Sequence, residues 1–130
     1  LGVEKHIVKT GYLDPLTTSS ALLSCDLMVM PYSDGASFRR GSLLACITHG
    51  CPTITTNPKS DNKRLQHETN IMLVPPDDPS SIVAAIRRLH EDAALRNGIG
   101  LAAMSLSKDF EWQVIANQTT NFFAEVLMRH

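Results

Sequence analysis

Two adjacent arginines, Arg39 and Arg40, are the side chains whose placement most clearly suggests chemistry. They follow the glycine-containing loop 33–38 and lie at the start of a run whose apolar residues recur at helical spacing. Arginine carries a permanent charge and a fork of N–H donors, and the amino end of a helix adds partial positive charge. This combination favours binding of a phosphate or diphosphate, although a solvated surface pair is an alternative that these residues leave open.

Three short apolar runs predict the strands that position this loop, at residues 27–30, 53–56 and 71–74. Such continuous runs are typical of buried parallel strands, and Pro31 ends the first one directly before the loop. Gly50 predicts a left-handed end for the helix between the first two strands. Because ligands of open parallel sheets bind beyond the carboxyl ends of the strands, we expect the arginines to lie at the binding edge.

Helices are also predicted on both sides of these strands. The predicted segments are residues 16–24, 80–92, 93–107 and 113–128. Asp14 and Asp78 each precede a proline, a pattern that indicates an acidic helix cap followed by proline in the first turn. Phe110 and Trp112 are expected to anchor the last helix to the body of the domain.

The composition restricts the class of protein. With 130 residues, 43% hydrophobic and 19% charged, the chain is predicted to form one ordered domain. A net charge of -1 argues against a nucleic-acid partner. The sequence has no signal-peptide pattern and no apolar run of the roughly 20 residues that span a bilayer, so we expect a cytoplasmic protein.

Three cysteines, Cys25, Cys46 and Cys51, lack the spacing of metal ligands, and their odd number does not fit a closed set of disulfides. They are expected to be buried, small apolar residues in a reducing compartment. The polar segment 57–69 follows the second strand and therefore borders the same edge as the arginines. Its Lys59, Lys63 and Arg64 either contribute to phosphate binding or form a solvated loop.

Several short motifs occur in a characteristic order. They are Thr10-Gly11-Tyr12, Ala21-Leu22-Leu23 before Cys25-Asp26, Pro31, His49-Gly50-Cys51-Pro52, and residues 71–78. Together they resemble the carboxyl-terminal, nucleotide-sugar-binding half of retaining glycosyltransferases with the GT-B fold, the large family 4 group. The resemblance implies an α/β fold with a Rossmann-like parallel sheet and flanking helices, in which residues 6–13 form an edge strand.

The resemblance also implies how the chain is organised. Residues 1–130 are expected to be a partial carboxyl-terminal domain, truncated at its amino-terminal end, with 113–128 as the terminal helix. The central strands and an amino-terminal domain of the same full-length protein are expected upstream of Leu1. The exposed strand edges suggest oligomers, and any membrane contact is expected to be peripheral and made by the full-length protein.

The activity implied by the resemblance is sugar transfer from a nucleoside diphosphate sugar to an acceptor hydroxyl, with no cofactor and no obligatory metal. The 130 residues alone are expected to be inactive. The residues identify neither the sugar, the nucleotide nor the acceptor.

The chain departs from this family at two positions. The family carries two glutamates separated by seven residues, and these positions correspond to Ser37 and Ala45. Asp34 is the nearest carboxylate that could accept a donor hydroxyl instead. The expected donor site comprises Asp34, Gly35, Ser37, Arg39, Arg40, Gly41 and Leu44, with no catalytic residue or metal ligand assigned.

Two functions from other classes remain open. One is a flavodoxin-like or receiver-type signalling module, although Met30 lies near the position of a receiver's phosphorylated aspartate. The other is a noncatalytic binding module that has kept the fold without the two glutamates.

Overall fold

A computed structural model describes residues 2–129 and contains a parallel three-stranded sheet. The strands are β1 (Met28–Met30), β2 (Thr53–Thr56) and β3 (Met72–Val74), in the order β1-β2-β3. Both neighbouring pairs are parallel. The predicted α/β class and the predicted parallel arrangement of the three strands are therefore confirmed.

Five α-helices flank the sheet in the described part of the chain. They are α1 (Pro15–Ser24), α2 (Gly41–Thr48), α3 (Pro79–Glu91), α4 (Ala93–Ser107) and α5 (Trp112–Met128). The two predicted acidic caps are present: Asp14 accepts hydrogen bonds from the N–H groups of Leu16 and Thr17, and Asp78 accepts one from Ser81. Each cap satisfies N–H groups that have no partner within the helix.

The core lies on the two faces of the central strand β2, all four residues of which are buried. One face packs against α2 in a cluster of Ala36, Leu43, Ile47, Leu65, Ile71 and Ala103. The other packs against α3 in a cluster of Ile54, Met72, Val74, Ala85, Leu89 and Ile99. Helix α4 contributes to both clusters, so it holds α2 and α3 against the sheet.

The outer edge of β3 is covered. The backbone N–H of Leu73 donates to Nδ1 of His67 at 3.1 Å, and His67 also forms an isolated parallel bridge with Ile71. Pro75 follows the strand and has no N–H to offer. This edge is therefore poorly suited to pairing with another strand.

The prediction of an edge strand at residues 6–13 is wrong. A short 3₁₀ turn spans Glu4–His6 and no strand follows it through residue 13. Ile7 and Val8 are 57% and 85% exposed. No strand of the described residues lies beside this segment, so its backbone has no ladder partner.

Two side chains predicted to be buried or to pack are exposed instead. Trp112 is 85% exposed, and Cys25 is exposed although Cys46 and Cys51 are buried. Cys25 is outside because it follows the end of α1, a helix with no buried residue. Trp112 is exposed because it is the first residue of α5, a helix that also has no buried residue.

Helix α5 carries an exposed apolar surface. Its large exposed hydrophobic residues are Trp112, Phe122, Phe123, Val126, Leu127 and Met128. Within residues 2–129, no helix combines the length and apolar character that crossing a bilayer requires.

Candidate functional site

The loop that carries the two arginines is fastened to the carboxyl end of β2. The hydroxyl of Thr55 donates to the carbonyl of Met30 at 2.8 Å, and that of Thr56 donates to the carbonyl of Tyr32 at 2.5 Å. The N–H of Ala36 returns a hydrogen bond to the carbonyl of Thr56 at 3.2 Å. Since both threonines are buried, these bonds fix the loop while satisfying polar groups inside the domain.

Gly35 allows the loop to approach the next one closely. Its φ is +87°, and a Cβ at this position would lie 2.6 Å from the carbonyl oxygen of Asn57 and 3.0 Å from the backbone nitrogen of Lys59. A side chain is therefore excluded by both backbone conformation and space. The glycine brings together, at one edge of the sheet, residues 31–40, called here the arginine loop, and residues 57–69, called here the polar loop.

Arg40 is held on two sides. Its guanidinium forms an ion pair with Asp34, and its Cζ lies 4.1 Å from the centroid of the Tyr32 ring. The Tyr32 hydroxyl is hydrogen-bonded to that of Ser42 at 2.7 Å. Nε of Arg40 is buried and has no hydrogen-bond partner within the described residues. Arg40 is therefore held in position by Asp34 and Tyr32, and one of its N–H donors lacks an acceptor.

Arg39 has a different environment, because its side chain is exposed. Its backbone N–H donates to Ser37 Oγ at 3.2 Å, and the N–H of Arg40 donates to the Ser37 carbonyl at 3.1 Å. Across residues 2–129, Arg39 makes no ion pair. Ser37 therefore shapes the turn, and Arg39 extends into solvent.

The amino end of α2 offers backbone donors. Arg40 is the cap residue, but its side chain makes no capping hydrogen bond. The N–H of Leu44 is bonded to the carbonyl of Arg40 at 3.1 Å, which leaves the N–H groups of Gly41, Ser42 and Leu43 without acceptors in the helix. Gly41 is exposed, and no heavy atom lies within 4 Å of a Cβ built on it. An anion could therefore reach the first of these amides.

The seven predicted site residues all lie in one continuous segment at the carboxyl ends of β1 and β2. Asp34 and Arg40 contact each other, Ser37 contacts Arg39, and Leu44 is half-buried on α2. Sequence reasoning missed Tyr32, which stacks on Arg40. The available signal was an aromatic residue two positions after the first predicted strand, on the chain segment that leads to the arginines.

Arg64, a predicted candidate for phosphate binding, is already paired with other side chains. It forms a 2.7 Å ion pair with Asp109, and its Cζ lies 4.8 Å from the Phe110 ring centroid. Lys59 and Lys63 are exposed. In the part of the chain that the structure describes, no three His, Cys, Asp or Glu side chains come together as a metal-binding group.

Fold and sequence together define the class of protein. The parallel sheet with its flanking helices is that of the carboxyl-terminal, Rossmann-like domain of GT-B glycosyltransferases. The family model described as "Glycosyl transferases group 1" matches residues 1–92. The chain belongs to this family.

Two curated proteins are similar to the chain over almost all of its length. An exopolysaccharide phosphotransferase of Streptomyces coelicolor is 32% identical over 133 residues, which cover 99% of the chain and 14% of that protein. A phosphatidyl-myo-inositol mannosyltransferase of Mycolicibacterium smegmatis is 26% identical over 121 residues, covering 93% of the chain and 31% of that protein. The chain therefore spans less than a third of the length of either relative.

Solved structures share the fold. Sucrose-phosphate synthase of Thermosynechococcus elongatus superposes with a TM-score of 0.82 at 19% identity, over 98% of the chain and 32% of that protein. The Anabaena protein HepE, solved in complex with UDP-glucose, superposes with a TM-score of 0.66 at 19% identity, over 85% of the chain and 29% of that protein.

Proposed function

We propose that this chain is the donor-binding domain of a glycosyltransferase that moves a sugar from a nucleoside diphosphate sugar to an acceptor hydroxyl. The observation that carries the proposal is the position of Arg40. It lies at the uncapped amino end of α2, beyond the carboxyl ends of β1 and β2, with a buried Nε that lacks an acceptor. Membership of the family and the UDP-glucose complex of HepE support this proposal.

The diphosphate is proposed to accept hydrogen bonds from the guanidinium groups of Arg39 and Arg40 and from the exposed amide of Gly41. During transfer, the bond between the anomeric carbon and the diphosphate oxygen breaks, the acceptor oxygen forms a new bond to that carbon, and the proton of the acceptor hydroxyl passes to the leaving diphosphate. Negative charge then accumulates on the leaving diphosphate. Fixed cations and helix-end amides stabilise such charge without reorganisation, so no obligatory metal or other cofactor is proposed.

Asp34 takes part in this proposal because its carboxylate forms an ion pair with the Arg40 guanidinium. A bound diphosphate competes for the same guanidinium. Once displaced, the carboxylate is free to accept a hydrogen bond from a hydroxyl of the donor. This role compensates for the absence of carboxylates at Ser37 and Ala45.

The remaining parts of the enzyme are proposed to lie elsewhere in a longer polypeptide. Support comes from the two curated relatives, of which the chain covers 14% and 31%. An amino-terminal domain is proposed to bind the acceptor, so the chain alone binds donor but does not transfer sugar. A cytoplasmic location is part of the same proposal.

A noncatalytic binding module is the second candidate. Two observations favour it: Ser37 and Ala45 lack the family's carboxylates, and the 32% identical relative is named as a phosphotransferase. Under this alternative, the domain binds a nucleotide or sugar phosphate and takes no part in transfer.

The proposal is tested by calorimetric titration of the protein with UDP, GDP, ADP and UMP, each with and without EDTA. We expect at least one diphosphate to bind, unaffected by EDTA, and UMP to bind more weakly because it lacks the second phosphate. No binding of any diphosphate contradicts the proposal. Labelling of Asp34 by acetyl phosphate would instead indicate a receiver-type module.

Transfer is distinguished from binding alone with the full-length protein. Incubation with a radiolabelled form of the bound donor is expected to release nucleoside diphosphate, slowly to water and faster once a suitable acceptor is present. Tight donor binding without any release favours the noncatalytic module.

A further inference from the structure

The arginine loop is in contact with the segment that leads into the last helix. Phe38 lies between Ser37 and Arg39, and its ring centroid is 4.6 Å from that of Phe110, at an interplanar angle of 41°. Phe110 is the last residue of the 3₁₀ turn Lys108–Phe110, which joins α4 to α5. The contact therefore links the residue between two site positions to the carboxyl-terminal part of the chain.

Arg64 completes this contact from the polar loop. Its Cζ lies 4.8 Å from the Phe110 centroid and 5.8 Å from that of Phe38, while its guanidinium is paired with Asp109 at 2.7 Å. We call Phe38, Arg64, Asp109 and Phe110 the aromatic clamp. Cation–π attraction and ring packing both act across the clamp, so three separate segments hold one another.

The part of the aromatic clamp that lies on the polar loop is fixed to the rest of the domain. The carbonyl of Arg64 accepts a 2.7 Å hydrogen bond from the Asn70 side chain, and the neighbouring Leu65 is buried in the core cluster that also receives Phe38. The polar loop is thus fixed at Arg64 and at the residue that follows it. Phe38 packs between the core cluster that contains Leu65 and the ring of Phe110. This packing limits the movement of the backbone that carries Arg39 and Arg40.

We propose that Phe110 is a positioning residue for donor binding: through Phe38 it holds the Arg39–Arg40 turn in the conformation that receives the diphosphate. The inference rests on the proposed function. It assigns a role to the 3₁₀ turn before α5, which contacts the binding loop although it contributes no predicted site residue. Trp112, two residues further on, is 85% exposed and has no such role.

The test compares Phe110→Leu with Phe110→Tyr, which keeps the aromatic face, and with Trp112→Leu as the matched control. Dissociation constants for UDP are measured by calorimetry. Phe110→Leu is expected to weaken binding about three- to tenfold, the range for a lost aromatic pair. Phe110→Tyr and Trp112→Leu are expected to bind within about twofold of the parent.

A second control separates positioning from general destabilisation. Ile99→Val removes a methyl group from the core cluster on the other face of the sheet, so it lowers the melting temperature and leaves UDP affinity unchanged. If Ile99→Val weakens UDP binding as much as Phe110→Leu, or if Phe110→Leu binds like the parent, the positioning role is wrong.

Hydrogen exchange of the ligand-free protein provides a readout that does not depend on the donor. The amides of Arg39, Arg40 and Leu44 donate hydrogen bonds within residues 37–44, and they are expected to exchange several-fold faster in Phe110→Leu and at the parent rate in Trp112→Leu. If the parent binds no diphosphate but this exchange pattern is found, the proposed function is wrong, whereas the proposal that Phe110 holds the Arg39–Arg40 turn is supported. Unchanged exchange in Phe110→Leu would contradict the proposal that Phe110 holds the Arg39–Arg40 turn.

Discussion

The guanidinium carbon of Arg40 lies 4.1 Å from the centroid of the Tyr32 ring. This stacking joins the second residue after β1 to the residue before α2, and a hydrogen bond between Tyr32 and Ser42 closes the turn. The position of the charge is therefore set by the fold before any ligand arrives. Preorganisation of this kind is what stabilisation of a leaving diphosphate requires.

Replacing Asp34 by asparagine distinguishes two roles for this carboxylate. Because Asp34 competes for Arg40, its neutralisation is expected to tighten UDP binding about two- to fivefold, as for an exposed ion pair. If Asp34 also accepts a hydrogen bond from a hydroxyl of the donor sugar, the substitution is expected to raise the affinity for UDP-glucose less than the affinity for UDP. Equal gains for UDP and UDP-glucose would rule out the second role, and weaker UDP binding would contradict the first.

Gly35→Ala is expected to destabilise the chain by about 2 kcal/mol or more, because φ is +87° and the new Cβ meets the backbone of Asn57 and Lys59. Gly41→Ala is the matched control, since nothing lies within 4 Å of its Cβ. The control is expected to leave stability unchanged or raise it by up to about 1 kcal/mol. Urea denaturation measures both, and equal stability of the two variants would contradict this account of the loop.

The pKa of Asp78 is lowered to about 2, first by the Ser80 and Ser81 hydroxyls and then by the Ser81 N–H. A lowered pKa in the folded state means that the ionised cap stabilises the fold above the unfolded pKa, near 3.8, and that this stabilisation is lost as pH falls toward 2. Asp78→Asn keeps a capping oxygen without the charge.

The free energies of unfolding of the parent and Asp78→Asn are therefore expected to differ above pH 4 and to converge toward pH 2. Urea titrations at several pH values measure this difference. A constant difference across that range would show that the carboxylate charge of Asp78 contributes nothing.

The cysteines are expected to react unequally. Cys25 is exposed, whereas burial, with smaller contributions from nearby Cys46, Cys25 and Asp26, raises the pKa of Cys51 to about 11. At pH 8 the native protein is expected to bind one equivalent of a thiol reagent rapidly, and three in urea. In Cys25→Ser the rapid equivalent should disappear. Rapid native labelling of a second cysteine would show that the core around β2 opens.

Local signals in the sequence predicted most of the fold. The apolar runs of β1, β2 and β3 and the Asp-Pro caps of α1 and α3 depend on neighbouring residues, so they are visible in the sequence. The edge strand that the family resemblance implied at residues 6–13 is absent, because a strand needs a neighbouring strand and none of the described residues supplies one.

The site was predicted as a segment but not as a set of contacts. Arg39, Arg40 and Gly41 could be found from the strand–loop–helix pattern. The pairing of Arg40 with Asp34 and its stacking on Tyr32 depend on the path of the loop, and the contact between Phe38 and Phe110 joins residues far apart in the sequence. Such relationships depend on tertiary packing, which local patterns do not encode.

The most direct test of the central claim compares UDP binding to Arg40→Gln and to Arg87→Gln, an exposed arginine on α3 that serves as the control. A charge-assisted hydrogen bond of about 2 kcal/mol corresponds to an affinity loss of about 30-fold. We predict a loss of this size for Arg40→Gln, smaller at high salt, and none for Arg87→Gln. Equal UDP affinity of the parent and Arg40→Gln would contradict the assignment of this loop as the diphosphate site.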